Sequence, residues 1–330
     1  MFESFRDIQR LASGFQAAKI FLTANDLGLF LEIGDNICTA DDLAATLKVD
    51  RRALELLLNA LTALQMLDKV DAGYRNRPII NEHLGQVETY RGSIFRHIHH
   101  CWDSWSRLPE IIRTGQPDFA AEANALGDND EWTRDFILGM NDVTRELAPQ
   151  VVPQLGLENA RVLMDVGGGP GTYAAAFQKA WSNISEVRIF DLPEALALGK
   201  KQLEAQGLSE KVSYHPGNFN IDPLPFGVDA IWLSQVLHSQ DEAGCQTLIG
   251  KSFEALNHGG KLMIHEFLLD DSKTAPVMAS IFSVHMLVMT ESGRTYSGGE
   301  LGCWMERAGF ENVEVIKVSD DTAVVTGNKT

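Results

Sequence analysis

The sequence predicts an α/β fold: a doubly wound parallel sheet that ends in an antiparallel hairpin, preceded by an all-helical N-terminal domain. Its 330 residues are enough for about two domains. Apolar residues recur at helical spacing in the first half, whereas after Arg161 short apolar runs alternate with helical stretches, as in a parallel sheet covered on both faces. We place one domain at 1–92 and a second at 93–330, in which 93–158 is a helical connector and 159–330 the sheet-containing core.

The N-terminal domain is predicted from helix signals and one turn. Thr39, three residues before Asp42, starts one helix, and Asp50 caps the next. The second of these helices carries a leucine stripe on one face, at Leu54, Leu57, Leu58, Leu61 and Leu64. The segment DKVDAGYRNRP then holds a turn at Gly73 and a stop at Pro78, which predicts a short two-stranded wing. Helix, helix and wing together are the pattern of a winged-helix domain.

One stretch of this domain is unusually apolar. FQAAKIFLTANDLGLFLEI, residues 15–33, is predicted as a single helix with more apolar surface than one small domain covers. Exposed patches of that kind mark partner surfaces. The sequence therefore predicts a homodimer built through residues 1–92.

The charge balance excludes several classes of partner. The chain has 28 Lys and Arg against 45 Asp and Glu, a formal net charge of −17, so nucleic acid and anionic membranes repel it overall. The winged-helix segment itself is locally neutral, which argues against DNA binding. There is no apolar run of about 18 residues and no signal-peptide pattern at the start. We predict a cytoplasmic protein without membrane or nucleic-acid partners.

Cysteine and histidine give no metal-site pattern. The 4 cysteines lie far apart without a C-x-x-C pair, which fits a reducing compartment and argues against a zinc knot or a disulfide framework. His97, His99 and His100 are close in sequence, but only His97 and His100 share a helix face, and no carboxylate stands at a ligating offset. We predict no metal.

The second domain is predicted strand by strand. Five apolar runs are expected to be parallel strands: RVLMDV, EVRIFD, KVSYHP, VDAIWLSQ and KLMIHEFLL. Helical stretches separate them, among them YAAAFQKAW, ALALGKKQLEAQ and AGCQTLIGKSFEAL. ENVEVIKV and DTAVVTGNK, joined by a short turn, form the terminal antiparallel hairpin.

A glycine-rich loop follows the first predicted strand and opens a helix. It runs from Asp165 to Gly171 as DVGGGPG, and such a loop lets a ligand approach the backbone at a helix N-terminus. Its glycines are spaced G-x-G-x-G, and Thr172 stands where a dinucleotide fingerprint would have its third glycine. The Gly-Lys-Ser/Thr ending of a Walker loop is absent too. What remains is the pattern of an adenosylmethionine site.

Two further strand ends are expected to meet this loop. Asp191 ends the second strand, where its carboxylate would accept hydrogen bonds from both ribose hydroxyls. Asn218 and Phe219 follow the third strand, where an amide would meet adenine. Three successive strand ends therefore line one crevice.

Taken in order, these pieces resemble a known family. The chain is similar, over nearly its whole length, to the S-adenosylmethionine-dependent O-methyltransferases of the caffeic acid, acetylserotonin and hydroxyneurosporene type. The matching segments are LMDVGGGPGTYAAAF, FDLPEAL, PGNF, LSQVLHSQDEAGC, GGKLMIHEFLLDD and GRTYSGGELGCWMERAGF. The resemblance implies a Rossmann-like methyltransferase sheet, a winged-helix dimerisation domain, and metal-independent methyl transfer in an intertwined homodimer.

The resemblance also implies the roles of individual residues. His238, just past the fourth strand, is implied as the general base, and Glu266, at the end of the neighbouring fifth strand, as the carboxylate that orients it. S-adenosylmethionine is expected to be bound by Asp165, Gly167, Gly169, Gly171, Asp191, Leu192, Asn218, Phe219 and Ser234.

The chain departs from its relatives near these residues. Many relatives have Asp and Trp directly after the histidine, where this chain has Ser239 and Gln240. Asn218 replaces an aspartate on the adenine side, and Ser234 replaces a lysine of the plant enzymes. The second glutamate of the plant enzymes, before an Arg-Thr pair, is Gly293 here. Cofactor binding is expected to survive, because Ser and Asn still form hydrogen bonds, so the departures bear on the detail of catalysis.

The expected activity is methyl transfer to a hydroxyl of a small aromatic or phenolic metabolite. The pocket is predicted to be lined by Phe136, Met140, Asn141, His285 and Met289. Three alternatives stay open: the same fold methylating carbon or nitrogen, an enzyme that binds adenosylmethionine without transferring its methyl group, and a winged-helix regulator that senses a metabolite.

Overall fold

The computed structural model describes residues 2–117, 130–205, 207–319 and 321–330, so part of the predicted connector lies outside the described residues. Two compact units divide the chain, Met1–Trp102 and Asp103–Thr330. The described helices are α1 (Phe5–Ser13), α2 (Phe15–Asp26), α3 (Leu29–Ile33), α4 (Ala40–Leu47), α5 (Arg51–Ala63), α6 (Pro78–Ile80), α7 (Ser93–Ser106), α8 (Leu108–Thr114), α9 (Asp130–Val151), α10 (Thr172–Ala180), α11 (Pro193–Ala205), α12 (Glu242–Ala255), α13 (Val277–Met289) and α14 (Gly298–Ala308). The described strands are β1 (Cys38–Thr39), β2 (Leu67–Val70), β3 (Gly73–Asn76), β4 (Val162–Val166), β5 (Glu186–Asp191), β6 (Val212–Pro216), β7 (Val228–Ser234), β8 (Leu256–Glu266), β9 (Phe310–Lys317) and β10 (Ala323–Lys329).

The predicted helix starts in the first unit carry their caps. The Thr39 hydroxyl accepts the Asp42 N–H at 3.2 Å at the start of α4. The Asp50 carboxylate accepts the Ala53 N–H at 2.8 Å at the start of α5. Three residues of the leucine stripe on α5 are buried: Leu54, Leu58 and Leu61. Both helices therefore begin where the capping side chains predict them.

The first unit contains one strand more than predicted, because a third strand joins the two-stranded wing. Among the described residues, β1, β3 and β2 lie side by side in that order and are antiparallel. Gly73 permits the close approach of β1, since a Cβ there would lie 2.5 Å from the Ile37 side chain and 3.2 Å from the Cys38 carbonyl oxygen. A two-residue strand is too short for hydrophobic alternation to reveal.

The prediction of one helix over residues 15–33 is wrong. Gly28 adopts the left-handed conformation, with φ of +70°, and separates α2 from α3. The resulting bend turns Leu29, Phe30 and Ile33 into the core of the first unit. The apolar surface of this stretch is therefore largely buried within the unit, whereas α1 exposes Phe5, Ile8 and Leu11.

The second unit is built on one mixed sheet. Its seven described strands have the order β6-β5-β4-β7-β8-β10-β9. The first five of these pair in parallel, and β10 pairs antiparallel with both β8 and β9. This confirms the predicted doubly wound sheet with a terminal hairpin. β8 begins at Leu256 rather than Lys261, because its pairing with β7 skips the intervening residues, which bulge out.

Helices cover both faces of this sheet. On one face, α10 and α11 bury Phe177 and Leu203 among the strands. On the other face, α12 and α14 do the same with Leu248 and Leu301. In the part of the chain that the structure describes, no helix is long and apolar enough to cross a membrane.

The strand order places the candidate site. The chain passes from β4 outward to β5 and β6 and then returns to β7 on the other side of β4. At such a switch point the connections diverge and open a crevice at the carboxyl ends of the strands. The residues that end the five parallel strands are Val166, Asp191, Pro216, Ser234 and Glu266.

Candidate active site

The glycine loop leaves β4 through three left-handed residues. Gly167, Gly169 and Gly171 have φ of +71°, +46° and +76°, a region that residues with a Cβ rarely adopt. Gly171 caps α10, so the free N–H groups of the first helical turn lie at the loop. None of the described atoms lies within 4 Å of the Cβ position of Gly169. The backbone there is open to a ligand.

Asp191 holds this loop from the neighbouring strand. Its Oδ2 accepts the Gly169 N–H at 2.8 Å, and its Oδ1 accepts the Leu192 N–H at 2.7 Å. Burial raises the pKa of this carboxyl, while the two hydrogen bonds lower it. A carboxylate oxygen accepts more than one hydrogen bond, so Asp191 retains acceptor capacity beside the loop.

Asp165 lies at the end of β4 and is 1% exposed. Its Oδ2 has no hydrogen-bond partner among the described residues. Burial, together with the charge of Asp191, raises the pKa of Asp165 to about 8. A buried oxygen without a partner is costly, and a cationic ligand in the crevice would offset that cost.

The loop after β6 completes the crevice. The Phe219 ring reaches within 3.9 Å of the Cβ position of Gly167. The Asn218 N–H donates to Asp222 at 2.7 Å, and the Asn218 side-chain oxygen accepts the Asn220 N–H at 2.9 Å. The open backbone at Gly169, the unpartnered Asp165 oxygen and the Asp191 carboxylate fit an adenosyl ligand that carries a positive charge.

Ser234 ends β7 and joins a buried chain of polar groups that was not anticipated. Its hydroxyl lies 3.0 Å from Nδ1 of His265, which is also 3.2 Å from the Tyr173 hydroxyl. Nε2 of His265 lies 2.9 Å from Thr322 Oγ1. Burial lowers the pKa of His265 to about 4, so this ring is neutral near pH 7. Ser234, predicted to bind cofactor, has a partner inside the protein.

His238 and Glu266 meet at the sheet edge. His238 lies in the short 3-10 turn Leu237–Ser239 after β7, and its Nδ1 is 2.7 Å from Oε2 of Glu266. The other carboxylate oxygen, Oε1, accepts the N–H groups of Val236 and Leu237 at 2.9 and 2.8 Å. Glu266 therefore fixes both the imidazole and the backbone that carries it.

This pairing sets the tautomer of His238. An ionised carboxylate only accepts, so Nδ1 must carry a proton, and the neutral ring is unprotonated at Nε2. No described residue is hydrogen-bonded to that Nε2. The arrangement is that of a histidine that can take a proton from a bound hydroxyl.

Aromatic rings surround the histidine on the side of α13. Phe282 packs edge to face on His238 with ring centroids 4.9 Å apart, and it also contacts Phe267 and His285. The Trp105 Nε1–H donates to Nδ1 of His285 at 2.9 Å. Phe267, Phe282 and Trp105 escaped the sequence prediction. Phe282 lies three residues before His285 on the same helix, and this helical spacing could have predicted Phe282 as a neighbour of His285.

The other predicted pocket residues are distributed over α9 and α13. The Asn141 side chain accepts the Thr172 hydroxyl at 2.9 Å, which places it against the glycine loop. Phe136 stacks on Trp132 with ring centroids 5.3 Å apart. Met140 and Met289 are half-buried on α9 and α13. The described contacts bring only His285 of the five into the aromatic cluster around His238.

The position of the missing second glutamate is closed to any side chain. A Cβ at Gly293 would lie 2.3 Å from the His238 carbonyl oxygen and 2.5 Å from Thr290 Oγ1. The neighbouring Arg294 donates to Glu300 at 2.9 Å and lies over the Tyr296 ring. The segment therefore supports the turn of His238 with backbone rather than with a carboxylate.

Among the side chains that the structure describes, no three of the His, Cys, Asp and Glu type are grouped so as to hold a metal ion. The expectation of a metal-free site stays a prediction.

Two family models match parts of the chain, and known proteins match nearly all of it. An O-methyltransferase domain matches residues 105–311, and an O-methyltransferase dimerisation domain matches residues 9–84. The chain is 31% identical to 3-hydroxy-5-methyl-1-naphthoate 3-O-methyltransferase of Streptomyces sahachiroi, over 97% of this chain and 94% of that protein. It is 26% identical to the tetracenomycin polyketide synthesis 8-O-methyl transferase TcmO of Streptomyces glaucescens, over 98% and 96%. The solved structure of PigF with SAH superposes with a TM-score of 0.90 at 26% identity, covering 99% of this chain and all of that one.

Proposed function

Because the chain belongs to the O-methyltransferase family, we propose that it methylates a hydroxyl of a small aromatic metabolite, of the phenolic kind found in secondary metabolism, with His238 as the general base. The observation that carries this proposal is the 2.7 Å contact between His238 and Glu266 at the switch-point crevice. The naphthoate and tetracenomycin enzymes named above support an aromatic acceptor. The aromatic rings around His238 offer such an acceptor a matching surface.

Proton removal is the task of His238. A phenol is weaker as an acid than imidazolium by about 3.5 pKa units, so complete transfer before reaction would cost roughly 5 kcal/mol. The proton therefore moves to Nε2 as the phenol oxygen attacks. Glu266 retains the Nδ1–H and stabilises the charge that develops on the ring.

S-adenosylmethionine is the methyl donor of the family and, when bound, supplies a methyl group on a sulfonium that needs little further activation. We propose that Asp191 accepts the ribose hydroxyls, that the Gly169 backbone lines the other side of the ligand, and that Asp165 acts through its charge from beneath the glycine loop. Leu192, Asn218, Phe219 and the remaining loop glycines complete the set. Ser234 contributes to the cofactor site indirectly, because its hydroxyl is hydrogen-bonded to His265.

The test is methyl transfer by the purified protein. We expect label from S-adenosylmethionine to appear on the oxygen of a hydroxylated naphthalene or phenol, in the presence of a chelator. In His238→Gln, turnover falls about 10²- to 10⁴-fold, while cofactor affinity by calorimetry is unchanged. The matched control is His258→Gln, which alters an exposed histidine and leaves turnover as it was.

Three results would contradict the proposal. Label on carbon or nitrogen would assign a different acceptor atom, and full turnover in His238→Gln would remove the base. Cofactor binding without turnover on any aromatic, combined with retardation of duplex DNA near 0.15 M salt, would favour a regulator.

We further propose that residues 1–92 form a winged-helix dimerisation domain of a cytoplasmic homodimer and that 93–330 form the catalytic domain. The match to the family's dimerisation domain supports the pairing. The element order β1, α4, α5, β2 and β3, with the three strands in one sheet, supports the winged-helix interpretation.

A further inference from the structure

The proposed proton transfer does not use the pair formed by Trp105 and His285. The Trp105 Nε1–H donates to His285 Nδ1 at 2.9 Å, and the planes of the two rings lie within 17° of each other with centroids 6.0 Å apart. The indole N–H of tryptophan is a donor only. Nδ1 of His285 therefore carries no proton, and the neutral ring carries its proton on Nε2.

His238 and His285 consequently present opposite groups. Nδ1 of His238 faces a carboxylate, which leaves Nε2 as an acceptor, whereas Nε2–H of His285 is a donor. Phe282 contacts both rings, with centroids 4.9 Å from His238 and 5.5 Å from His285. Burial, and secondarily the charge of His238, lowers the pKa of His285 to about 4, so the donor persists at neutral pH. The described residues supply no acceptor for it.

We propose that His285 positions the substrate by donating its Nε2–H to a carbonyl oxygen that the aromatic acceptor carries in addition to the hydroxyl that is methylated. The substrate class is then a hydroxylated aromatic ketone, quinone or related carbonyl compound. This inference rests on the proposed function, because it places the same substrate in the same site.

The two histidines match two different polar groups of one substrate. The substrate hydroxyl donates to Nε2 of His238, and the substrate carbonyl accepts from Nε2 of His285. A substrate without the carbonyl would leave the His285 donor unpaired among Phe282 and Trp105. Sites built to hydrogen-bond a substrate group discriminate against analogues that lack it, since the protein donor loses its partner.

The first experiment compares substrates of equal size, the ortho and meta hydroxyacetophenones against the corresponding ethylphenols. In each pair a carbonyl replaces a methylene. The wild-type protein is expected to prefer the ketone in kcat/KM for at least one isomer, mainly through KM. In His285→Phe, which retains an aromatic ring, the ratio of kcat/KM for the ketone to kcat/KM for the ethylphenol is expected to fall about tenfold.

The second experiment reads the tautomer directly. With ¹⁵N-labelled histidine, the His285 signals, assigned by their loss in His285→Phe, should be those of an Nε2–H ring with a hydrogen-bonded Nδ1 at pH 7. Trp105→Phe retains an aromatic ring but removes the donor, and it should shift the Nδ1 signal.

The outcomes separate this inference from the proposed function. Equal kcat/KM for ketone and ethylphenol in the wild type, an unchanged preference in His285→Phe, or an Nδ1–H tautomer would each overturn the role of His285 and leave O-methylation standing. Absence of oxygen methylation on every aromatic tested would overturn both.

Discussion

The two carboxylate oxygens of Glu266 have different partners. This difference determines the effect of replacing Glu266 by Gln. Oε1 accepts the N–H groups of Val236 and Leu237, and Oε2 faces Nδ1 of His238. In Glu266→Gln the amide oxygen must take the Oε1 position to keep these two hydrogen bonds. The amide NH₂ then points at Nδ1 and forces the proton of His238 onto Nε2.

We therefore predict that Glu266→Gln loses turnover about as severely as His238→Gln, by roughly 10²- to 10⁴-fold. The fold should be preserved, because the shape and the backbone hydrogen bonds are preserved. Steady-state kinetics measures the effect, with Glu254→Gln, an exposed position on α12, as the matched control. A loss of less than tenfold would mean that tautomer control is not what Glu266 provides.

Asp165 is a second residue whose protonation state can be tested. Its pKa is raised to about 8 by burial, with Asp191 adding to the effect, so it is largely protonated at pH 7 in the free protein. The folded state then binds this proton more tightly than the unfolded state, and the corresponding stability is lost as the pH rises through that pKa. A positively charged ligand in the crevice favours the ionised form.

We predict that S-adenosylmethionine binding near pH 7 releases a proton from Asp165. Calorimetric titration in two buffers with different ionisation enthalpies counts the protons released. Asp165→Asn keeps the shape of the side chain and should abolish the release. Binding enthalpies that are the same in both buffers for the wild type would show that Asp165 does not change its protonation state.

Among the elements, strand ends were easier to predict than side-chain neighbourhoods. Short apolar runs that alternate with helical stretches, together with the glycine loop, predicted the sheet, and they placed Asp191 and Glu266 at the ends of their strands. The partnership of Trp105 with His285 joins residues that are 180 positions apart, and no local pattern encodes such a contact. The division of residues 15–33 was missed for a related reason, since an apolar stretch does not reveal that Gly28 turns left-handed.

Gly293 lies in the segment between α13 and α14. Gly293 packs against the carbonyl of His238 so closely that a Cβ would lie 2.3 Å from that oxygen. Gly293→Ala, or a glutamate introduced to match the plant enzymes, must push the His238 turn away from Glu266. We expect a loss of about 1–3 kcal/mol in the free energy of unfolding and a fall in turnover.

Gly250 on α12 supplies the matched control, because a Cβ there would meet nothing within 4 Å among the described residues. Gly250→Ala should raise stability by up to about 1 kcal/mol through helix propensity and leave turnover intact. Denaturant unfolding and steady-state kinetics measure both variants. If Gly293→Ala is as stable and active as the wild type, the turn of His238 is free to shift without cost.

The first helix of the chain exposes an apolar side. Phe5, Ile8 and Leu11 of α1 are 73%, 52% and 69% exposed, Phe15 at the start of α2 is 57% exposed, and no residue of α1 is buried. Their spacing puts them along one side of a helix that carries polar residues on the other. A short amphipathic helix without a covered face gains little from standing alone in water, so a second copy of the chain is the partner that we expect to cover it.

We predict that the wild-type protein has twice the mass of the chain in light scattering at micromolar concentration, and that Phe5→Ser with Leu11→Ser shifts it toward the monomer. Each replacement removes an apolar side chain worth about 1.5–3 kcal/mol when buried, so the dissociation constant should rise at least tenfold.

Arg6→Ser with Gln9→Ser alters exposed polar positions of the same helix and should leave the dimer intact. A wild-type monomer, or equal mass in both double variants, would mean that α1 is not the dimer contact. Circular dichroism of the separated monomer distinguishes loss of the contact from unfolding, because the sheet of the second unit has its own core.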